Sequence, residues 1–557
     1  MKKKTTKKLL VCALTVSMLG TMLTGCGEKK EQAAVTDQTV VEQNVENTDD
    51  NIKAAVSGGS VKSDGEESNE LAFAFNAAPP TLDIHKTSAV VARQIAYGNI
   101  FESLMTLTSD YEPTCELAES CDINDDSTEY IYHLRQGVKF HNGEEMKAAD
   151  VVASMNRWIE SYGNAQTMLG DSRFEEVDDY TVRIDLASTC IYVNELIAGA
   201  GQMPAIVPAS TLDTVDPDTG YLTEYIGTGP YKFDEWVQDQ YIKLTKFDDY
   251  VPYGEEGYQD GWAGYKNAYI DTVYCYFATD DASRVAGMQS GEYDAAYSLP
   301  IDNYSLFDGK DDYIIYNEMS GETCLIYNKQ EGLGANKIMR QAVNAVLNDA
   351  DIMMAGVPNA EFYRLDSSYM YMEQKSWYSD AGKEYYNQND PEKAKELLQE
   401  AGYNGETFTI LVSSDYSEFY NDAIVIQAEL QSIGVNCELL VGDWATFLSY
   451  RSDPSAYDAF ITSFTPISVP TMNLYLTQTW PGWETDSTVV EALNKINTAE
   501  DLESAYKIWD ELQEYCWSEE LPVSKFGDRY IYSVSTNKVE NLGYFQGPYF
   551  WNTKVYK

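Results

Sequence analysis

The stretch TFTILVSSDYSEFYNDAIVIQAELQSIGVNCELLV, residues 407–441, changes its apolar pattern twice. Short β-branched runs open and close it, and between them apolar residues recur every three or four positions, as on one face of a helix. The same alternation continues to residue 464. It predicts strands at 407–412, 435–441 and 457–464, with helices at 421–433 and 444–451 between them. This order indicates a parallel sheet covered by helices, which is the α/β class.

The flanking segments extend this picture to the rest of the chain. Asp390 and Pro391 predict a helix start, and an amphipathic helix is also predicted over 336–347. The N-terminal half is richer in extended segments, predicted at 71–75, 130–134, 181–186, 231–236, 241–247 and 272–277. It is predicted to be a strand-dominated α/β unit separate from the C-terminal one. A chain of 557 residues without a repeat is too long for one ordinary core, so we expect two lobes or more.

The N-terminus indicates secretion and a lipid anchor. Residues 1–25 begin with five lysines and no acid, and continue into a short apolar run, which is typical of a signal peptide. The run ends in LTGC, the order of a bacterial lipobox, so Cys26 is the predicted lipidation site. Residues 26–68 contain no aromatic residue and no apolar period. Beyond the lipidated cysteine we therefore predict a disordered tether.

The charge balance is strongly acidic. The chain has 89 acidic and 39 basic residues, and its formal net charge is −50. Such a surface repels nucleic acid and anionic lipid, so we expect no nucleic-acid partner.

Nine cysteines occur, and seven of them follow Cys26. Seven is odd, so at least one is unpaired, and no CxxC pair or Cys/His cluster at metal spacing is present. Buried thiols are expected, while a disulfide between Cys115 and Cys121 stays open.

Several short motifs follow one another from about residue 71 to the end. They include PTLD at 80–83, NIFESL at 99–104, LAES at 117–120, YHLRQGVKFHNG at 132–143 and GTGPY at 227–231. In these motifs and their order the chain resembles the family 5 extracellular solute-binding proteins. This is the peptide and nickel group, which includes oligopeptide- and dipeptide-binding proteins.

The resemblance implies two α/β lobes that close over a ligand, with a subdomain inserted in the N-terminal lobe. Lobe I then comprises 69–105, 226–322 and 523–557, its inserted subdomain 106–225, and lobe II 323–522. The chain would cross between the lobes twice, and we expect hinges near 320–321 and 520–523.

The resemblance also implies ligand contacts. A Trp, an Arg seven residues later and a further Trp line the cleft of oligopeptide binders. Trp444 and Arg451 match the first two, and Phe464 occupies the position of the further Trp. The Asp that binds the peptide amine falls on Ile467, and residues 413–416 offer no Arg for the carboxylate. A dipeptide held by both ends is therefore disfavoured, because buried unpaired charge is costly. The other candidates are Thr465 and Trp480 in lobe II, and Thr87, Ser88, Ala89 and Phe526 in lobe I.

The implied function is capture of a solute outside the cell and its delivery to an ABC importer, made of a permease and an ATPase. The protein would act as a lipid-anchored monomer on the outer face of the cytoplasmic membrane, without a cofactor and without catalysis. An oligopeptide is the first choice of cargo. An oligosaccharide is the second, because the charged anchors are missing while 43 Tyr and 10 Trp are present.

Other functions fit less well. A secreted hydrolase requires a motif such as GxSxG or HExxH, or a His beside a Ser or Cys, and none is present. A nickel carrier requires histidine ligands, and the three histidines, His85, His133 and His141, all lie in the N-terminal half. A receptor that senses its ligand stays open, because it would share the fold.

Overall fold

The computed structural model describes residues 55–63, 65–199 and 201–557. The predicted signal peptide, the predicted lipidation site Cys26 and most of the predicted tether lie outside the described residues.

The described residues contain thirteen α-helices, and none of these combines the length and the apolar run that a membrane crossing requires. Seven begin with an Asp or Asn whose side chain accepts a hydrogen bond from the first turn, as predicted for Asp390. The helices are α1 (Val90–Ala96), α2 (Ala148–Ser161), α3 (Gly163–Leu169), α4 (Val193–Ala198), α5 (Ala209–Leu212), α6 (Asp281–Ser290), α7 (Lys337–Val346), α8 (Asp349–Gly356), α9 (Pro391–Glu400), α10 (Ser417–Ser432), α11 (Trp444–Arg451), α12 (Ser487–Asn497) and α13 (Leu502–Tyr515).

Twenty-five strands are assigned along the described residues. Up to residue 299 they are β1 (Ala55–Gly58), β2 (Glu67–Ser68), β3 (Glu70–Phe75), β4 (Met105–Leu107), β5 (Pro113–Cys115), β6 (Ala118–Ile123), β7 (Glu129–Leu134), β8 (Phe174–Asp178), β9 (Thr181–Asp185), β10 (Tyr231–Val237), β11 (Tyr241–Lys246), β12 (Gln259–Asp260), β13 (Ala263–Gly264), β14 (Thr272–Phe277) and β15 (Ala295–Leu299). The others are β16 (Tyr313–Tyr327), β17 (Tyr363–Arg364), β18 (Thr407–Ser413), β19 (Asn436–Gly442), β20 (Ala459–Phe464), β21 (Val523–Thr536), β22 (Val539–Glu540), β23 (Gly543–Tyr544), β24 (Pro548–Tyr549) and β25 (Lys554–Tyr556).

Twelve of these strands form one sheet. Ten follow the order β10-β11-β14-β3-β15-β21-β16-β20-β18-β19, while β1 pairs with β16 and β17 pairs with β21. Strands β16 and β21 have 15 and 14 residues and are antiparallel partners along most of their length. They connect the N-terminal strands with the C-terminal ones. The two units that the sequence pattern separates therefore share one continuous sheet.

The region 407–464 folds as its apolar pattern predicts. Strand β18 pairs in parallel with β19 on one side and with β20 on the other, and α10 and α11 connect the three strands. The largest difference is at α10, which begins at Ser417 and not at 421. Its extra first turn continues the buried face of the helix, because Phe419 lies four residues before Ala423 and both are buried, so the apolar period extends back beyond the predicted start.

The chain is irregular at both points where hinges are predicted. In β16 the pairing with β21 shifts between Met319 and Gly321. Gly321 has a φ of 137°, and a Cβ there would lie 1.9 Å from the carbonyl oxygen of Phe464, so the close approach of β16 and β20 requires glycine. The other crossing follows a π-helical turn, Cys516–Glu520, after which Leu521 adopts a φ of 49°. Hinge motion at these points stays a prediction.

The C-terminal end of the predicted tether is ordered. Strand β1 is antiparallel to β16, with Ala55 opposite Asn317 and Gly58 opposite Ile314, and β2 pairs with β25. Disorder does not extend to residue 68 as predicted, because main-chain hydrogen bonds to an existing strand need no apolar period.

The seven cysteines among the described residues are all unpaired. Five are buried, as expected for structural thiols, while Cys115 and Cys121 are half-buried. The disulfide between Cys115 and Cys121 that the sequence leaves open is not formed.

Candidate ligand-binding cleft

A cavity of about 490 Å³ lies beside β16 and β21. Its wall is formed by the loop after β3, the first turns of α1, the end of β15, residues 318–320 of β16 and Ile531 of β21. Thr465 and Pro466, in the loop after β20, and Gln546 complete it. The volume falls in the range of about 300–1,000 Å³ that is typical of small-molecule sites, so this cavity is the candidate ligand site.

Two charged residues of the wall, Glu318 and Arg93, form what we call the cavity pair. Glu318 is 7% exposed, and its Oε1 accepts a hydrogen bond from the N–H of Gly547. Its buried Oε2 has no partner among the described residues, and neither has the buried Nε of Arg93. Buried polar atoms are nearly always hydrogen-bonded, so these two unpaired atoms are exceptions in the wall of the cavity.

The electrostatics of the cavity pair follow from burial. Burial raises the pKa of the Glu318 carboxyl to about 7, against the opposing influence of the Gly547 N–H and of Arg93. Burial also lowers the pKa of Arg93. Tyr297 has the largest opposing influence and raises this pKa. Gln94 lies beside them and is 5% exposed, and its side chain interacts with the Tyr297 hydroxyl.

Helix α1 places Arg93 and Gln94 in the wall. The hydroxyl of Thr87 accepts a hydrogen bond of 3.1 Å from the N–H of Ala89, which shapes the turn before the helix. Of the three predicted contacts in this turn, Ala89 lines the cavity, whereas Thr87 and Ser88 do not. The buried face of the helix consists of Val91, Ala92, Ile95 and Ala96 together with Gln94.

Four of the predicted lobe II contacts form a cluster of their own. Trp444 stacks on Phe447, with ring centroids 4.9 Å apart and an interplanar angle of 10°. The guanidinium carbon of Arg451 lies 5.1 Å from the ring centroid of Trp480, and Trp480 in turn contacts Phe464 at a centroid distance of 5.3 Å. The structure therefore brings these residues together, but none of the four lines the cavity.

The two remaining predicted contacts differ from each other. Thr465 follows Phe464 in sequence and lines the cavity. Phe526 is fully buried, and its carbonyl accepts a hydrogen bond of 2.6 Å from the hydroxyl of Tyr386. Both faces of β21 are covered over 523–528, so Phe526 is a core residue and not a cavity residue.

A second group of buried charges lies on the same strands, and the sequence gives no sign of it. We call it the ionic cluster; its members are Lys525, Asp528, Glu322, Arg364 and Glu373. Lys525 Nζ lies 2.8 Å from Asp528 Oδ1 and 3.7 Å from Glu322 Oε2. Arg364 donates at 2.7 Å to the other oxygen of Asp528 and makes two bonds, of 2.8 and 3.1 Å, to Glu373. Burial raises the pKa of Glu322 to about 7, although Lys525 opposes this.

The three histidines have protein partners. His85 Nε2 lies 2.7 Å from the carbonyl of Ala205, and its Nδ1 lies 2.9 Å from Arg157. The ring of His141 contacts two backbone groups, and His133 contacts a surface carboxylate. The part of the chain that the structure describes holds no cluster of three or more metal-binding side chains.

Comparison with known proteins agrees with this architecture. Residues 112–485, more than half of the chain, match the family model of the bacterial extracellular solute-binding proteins, family 5. The chain is 28% identical over 506 residues to a probable peptide ABC transporter periplasmic-binding protein, y4tO of Sinorhizobium fredii, covering 86% of this chain and 91% of that protein. It is also 28% identical over 406 residues to the glutathione-binding protein GsiB of Pectobacterium atrosepticum, covering 70% and 73% of the two chains.

Solved structures share the fold. The binding protein AgaA of A. tumefaciens R10, determined in complex with agropinic acid, superposes with a TM-score of 0.70 at 26% identity, over 87% of this chain and 98% of AgaA. The fold is thus the two-lobed α/β fold expected from the sequence. The chain belongs to the bacterial extracellular solute-binding proteins of family 5.

Proposed function

We propose that this protein is the solute-binding component of an ABC importer and that it captures a short peptide in the cavity beside β16 and β21. The observation that carries the proposal is the cavity wall, which combines apolar side chains with a carboxylate, a guanidinium and a carboxamide, those of Glu318, Arg93 and Gln94. A peptide carries donors and acceptors at both ends and along its backbone together with apolar side chains, so it suits a wall of this mixed character.

Similarity to peptide-binding proteins supports this cargo. One relative is described as a probable peptide-binding component of an ABC transporter and another as a glutathione-binding protein, and glutathione is a tripeptide. The aromatic residues that made an oligosaccharide the second choice pack on one another. Trp444, Phe464 and Trp480 do not line the cavity, and Tyr297 is the one aromatic residue among those that do, so the wall offers few rings on which a sugar can stack.

A thermal-shift experiment tests the cargo. The purified protein is melted with a pool of short peptides and, separately, with a pool of oligosaccharides. A ligand at about 100 times its Kd adds roughly 2.7 kcal/mol of stability, so peptides are expected to raise the melting temperature by several degrees. A rise with oligosaccharides alone would contradict the peptide assignment.

The two lobes are proposed to close over the peptide by rotation about the crossings at Gly321 and Leu521. Lobe I then comprises 69–105, 226–322 and 523–557 with the inserted subdomain 106–225, and lobe II comprises 323–522. Contacts between the inserted subdomain and lobe II would stabilise the closed arrangement and would break on opening. The examples are a 2.8 Å ion pair between Lys375 and Asp110 and a 2.7 Å hydrogen bond from the Tyr192 hydroxyl to the carbonyl of Ile496.

Small-angle X-ray scattering measures the closure. Saturation with a bound peptide should lower the radius of gyration, because the open lobes swing together. An unchanged radius at saturation would contradict a hinge.

The cellular arrangement is proposed from the sequence and the family. A lipid on Cys26 would hold the monomer at the outer face of the cytoplasmic membrane, where a permease and an ATPase take over the peptide. Metabolic labelling with an alkyne fatty acid should mark the wild type in the membrane fraction. The Cys26→Ala variant should be unlabelled and released, and a labelled variant would contradict the site.

A further inference from the structure

A contact between the inserted subdomain and lobe II brings together three acidic side chains. We call it the interlobe contact; its members are Asp110, Glu112 and Glu195 of the subdomain and Lys375, Ser376 and Trp377 of lobe II. The gap that remains between the two sides has a volume of about 10 Å³, which is about the space that one water molecule needs. A charged group in this gap is therefore poorly hydrated.

The two sides of the interlobe contact touch directly. The hydroxyl of Ser376 donates a hydrogen bond to the carboxylate of Glu112. Nearby, Gly199 of the subdomain approaches Ser468 of lobe II so closely that a Cβ on Gly199 would lie 1.7 Å from the Ser468 hydroxyl oxygen. Opening of the lobes would separate these groups and expose the side chains between them to water.

Glu195 differs from the other two acids of the interlobe contact. Asp110 has Lys375 as its ionic partner, and Glu112 accepts the hydrogen bond from Ser376. The Glu195 carboxyl has no basic side chain within 4.0 Å among the described residues. Burial raises its pKa to about 7, and the nearby carboxyl of Glu112 raises it as well. Ionisation of Glu195 therefore opposes the closed contact.

The remaining titratable groups around Glu195 are uncharged near pH 7. Those that its charge influences are Tyr130, Tyr132, Cys190 and Tyr192. Burial raises the pKa of all four, that of Cys190 to about 11, and it also raises the pKa of Tyr111 beside the contact. None of these groups can supply a positive charge to the Glu195 carboxylate.

We propose that Glu195 makes lobe closure sensitive to pH: its protonated carboxyl fits the interlobe contact, whereas its ionised carboxylate favours the open arrangement. The inference rests on the proposed function, because it concerns the regulation of the same peptide cleft.

The direction of the effect follows from the two environments of the carboxyl. In the open arrangement Glu195 faces water and titrates as an ordinary glutamate, whereas in the closed arrangement its pKa is raised to about 7. Closure therefore takes up a proton between about pH 4.5 and about 7. The contribution of Glu195 to peptide affinity is most favourable below this window and is lost as the pH rises through it.

Peptide affinity at pH 5 and at pH 8 tests the proposal. The full protein is titrated with the pool of short peptides at constant ionic strength, and the concentrations that give half of the maximal thermal shift are compared. One unit of difference in pKa corresponds to a tenfold difference in affinity, so the wild type should bind at least about tenfold more weakly at pH 8.

Two variants assign the effect to Glu195. Glu195→Gln cannot ionise and should lose at least about tenfold of the difference between the two pH values. Glu176→Gln removes an exposed carboxylate of β8 in the same subdomain and should keep the full difference. A difference of equal size in the wild type and in Glu195→Gln overturns the proposal and leaves peptide capture standing.

Failure of the proposed function gives a different result, because then no peptide binds at either pH. Small-angle scattering of the ligand-free protein decides the inference in that case. The radius of gyration of the wild type should be larger at pH 8 than at pH 5, and that of Glu195→Gln should be the same at both; equal radii of the wild type would overturn the inference.

Calorimetry of the wild type keeps the proposal testable if Glu195→Gln does not fold. Peptide binding at pH 6 is measured in buffers of different ionisation enthalpy, which gives the number of protons taken up. Uptake of nearly one proton is expected from the window above, and binding without proton uptake would overturn the proposal.

Discussion

The ionic cluster and the cavity pair both lie on strands β16 and β21 and the elements beside these strands. In the ionic cluster the charges pair with one another, whereas in the cavity pair they do not. Asp528 is fully buried and contacts both Lys525 and Arg364. Glu318 is almost as buried but has no ionic partner within 4.0 Å in the described chain. The comparison separates two uses of buried charge. Paired charges hold the strands together, whereas the Glu318 carboxyl is opposed only at a distance by Arg93 and its pKa is raised to about 7 by burial.

Asp528→Asn is expected to have the largest effect on stability. It removes the shared anion of Lys525 and Arg364, and breaking a buried pair in this way typically costs about 3–5 kcal/mol. Urea denaturation measures the change. Glu318→Gln is the matched control, because it keeps an oxygen for Gly547 and removes a charge without an ionic partner. It should change the free energy of unfolding by less than about 1 kcal/mol. Equal losses of stability in the two variants would contradict the difference between the ionic cluster and the cavity pair.

Gly547→Ala should disturb the cavity pair through the backbone. Gly547 has a φ of 125°, and a Cβ there would lie 2.3 Å from Cγ of Gln94. Such a strained residue costs about 1–3 kcal/mol, and the displaced turn would no longer fix Glu318. We expect peptide affinity to fall by about tenfold or more, measured by calorimetry. Gly434→Ala is the control, since its φ of 92° is also positive but its Cβ would meet open space; equal affinities in both variants would contradict the role of the turn.

Glu322→Gln should reveal the pH dependence of the ionic cluster. The folded-state pKa of Glu322 is raised to about 7, above its value in the unfolded chain. Its contribution to stability is therefore present at low pH and is lost as the pH rises through about 7. The variant should match the wild type at pH 5 and exceed it by about 1–2 kcal/mol at pH 8. Urea denaturation at both pH values measures the free energy of unfolding of the two proteins. A difference in stability between variant and wild type that does not change with pH would contradict the raised pKa of Glu322.

Lys375→Ala should have the smallest effect. Lys375 and Asp110 are exposed, so their ion pair is screened by water and salt and contributes little to folding. If the pair favours the closed lobes, peptide affinity should fall by at most about fivefold at low salt, and less at 0.5 M salt. The control Lys383→Ala breaks an exposed pair with Asp380 inside lobe II and should leave affinity unchanged. An identical salt response in both variants would argue against a role in closure.

Much of the fold was predictable because its signals are local. The apolar periods of 407–464 gave the parallel order of β18, β19 and β20, and Asp390 marked the start of α9. The continuous sheet was not predictable in this way. It depends on the pairing of β16 with β21, whose paired residues lie more than 190 positions apart in the chain.

The cavity wall was harder to predict than the fold. Arg93 and Glu318 are separated by more than 200 residues and meet because β3, β15, β21 and β16 are neighbours in the sheet. Neither residue carries a local pattern that distinguishes it from the many other charged residues of the chain. The resemblance to oligopeptide binders directed attention to Trp444 and Trp480, whose rings instead contact other aromatic side chains.

A crystal structure of the protein with a bound short peptide tests the central claim most directly. The account predicts the peptide inside the cavity, in contact with Ala89, Glu318 and Thr465. A peptide bound elsewhere, for example against Trp444 and Arg451, with the cavity empty, would contradict it.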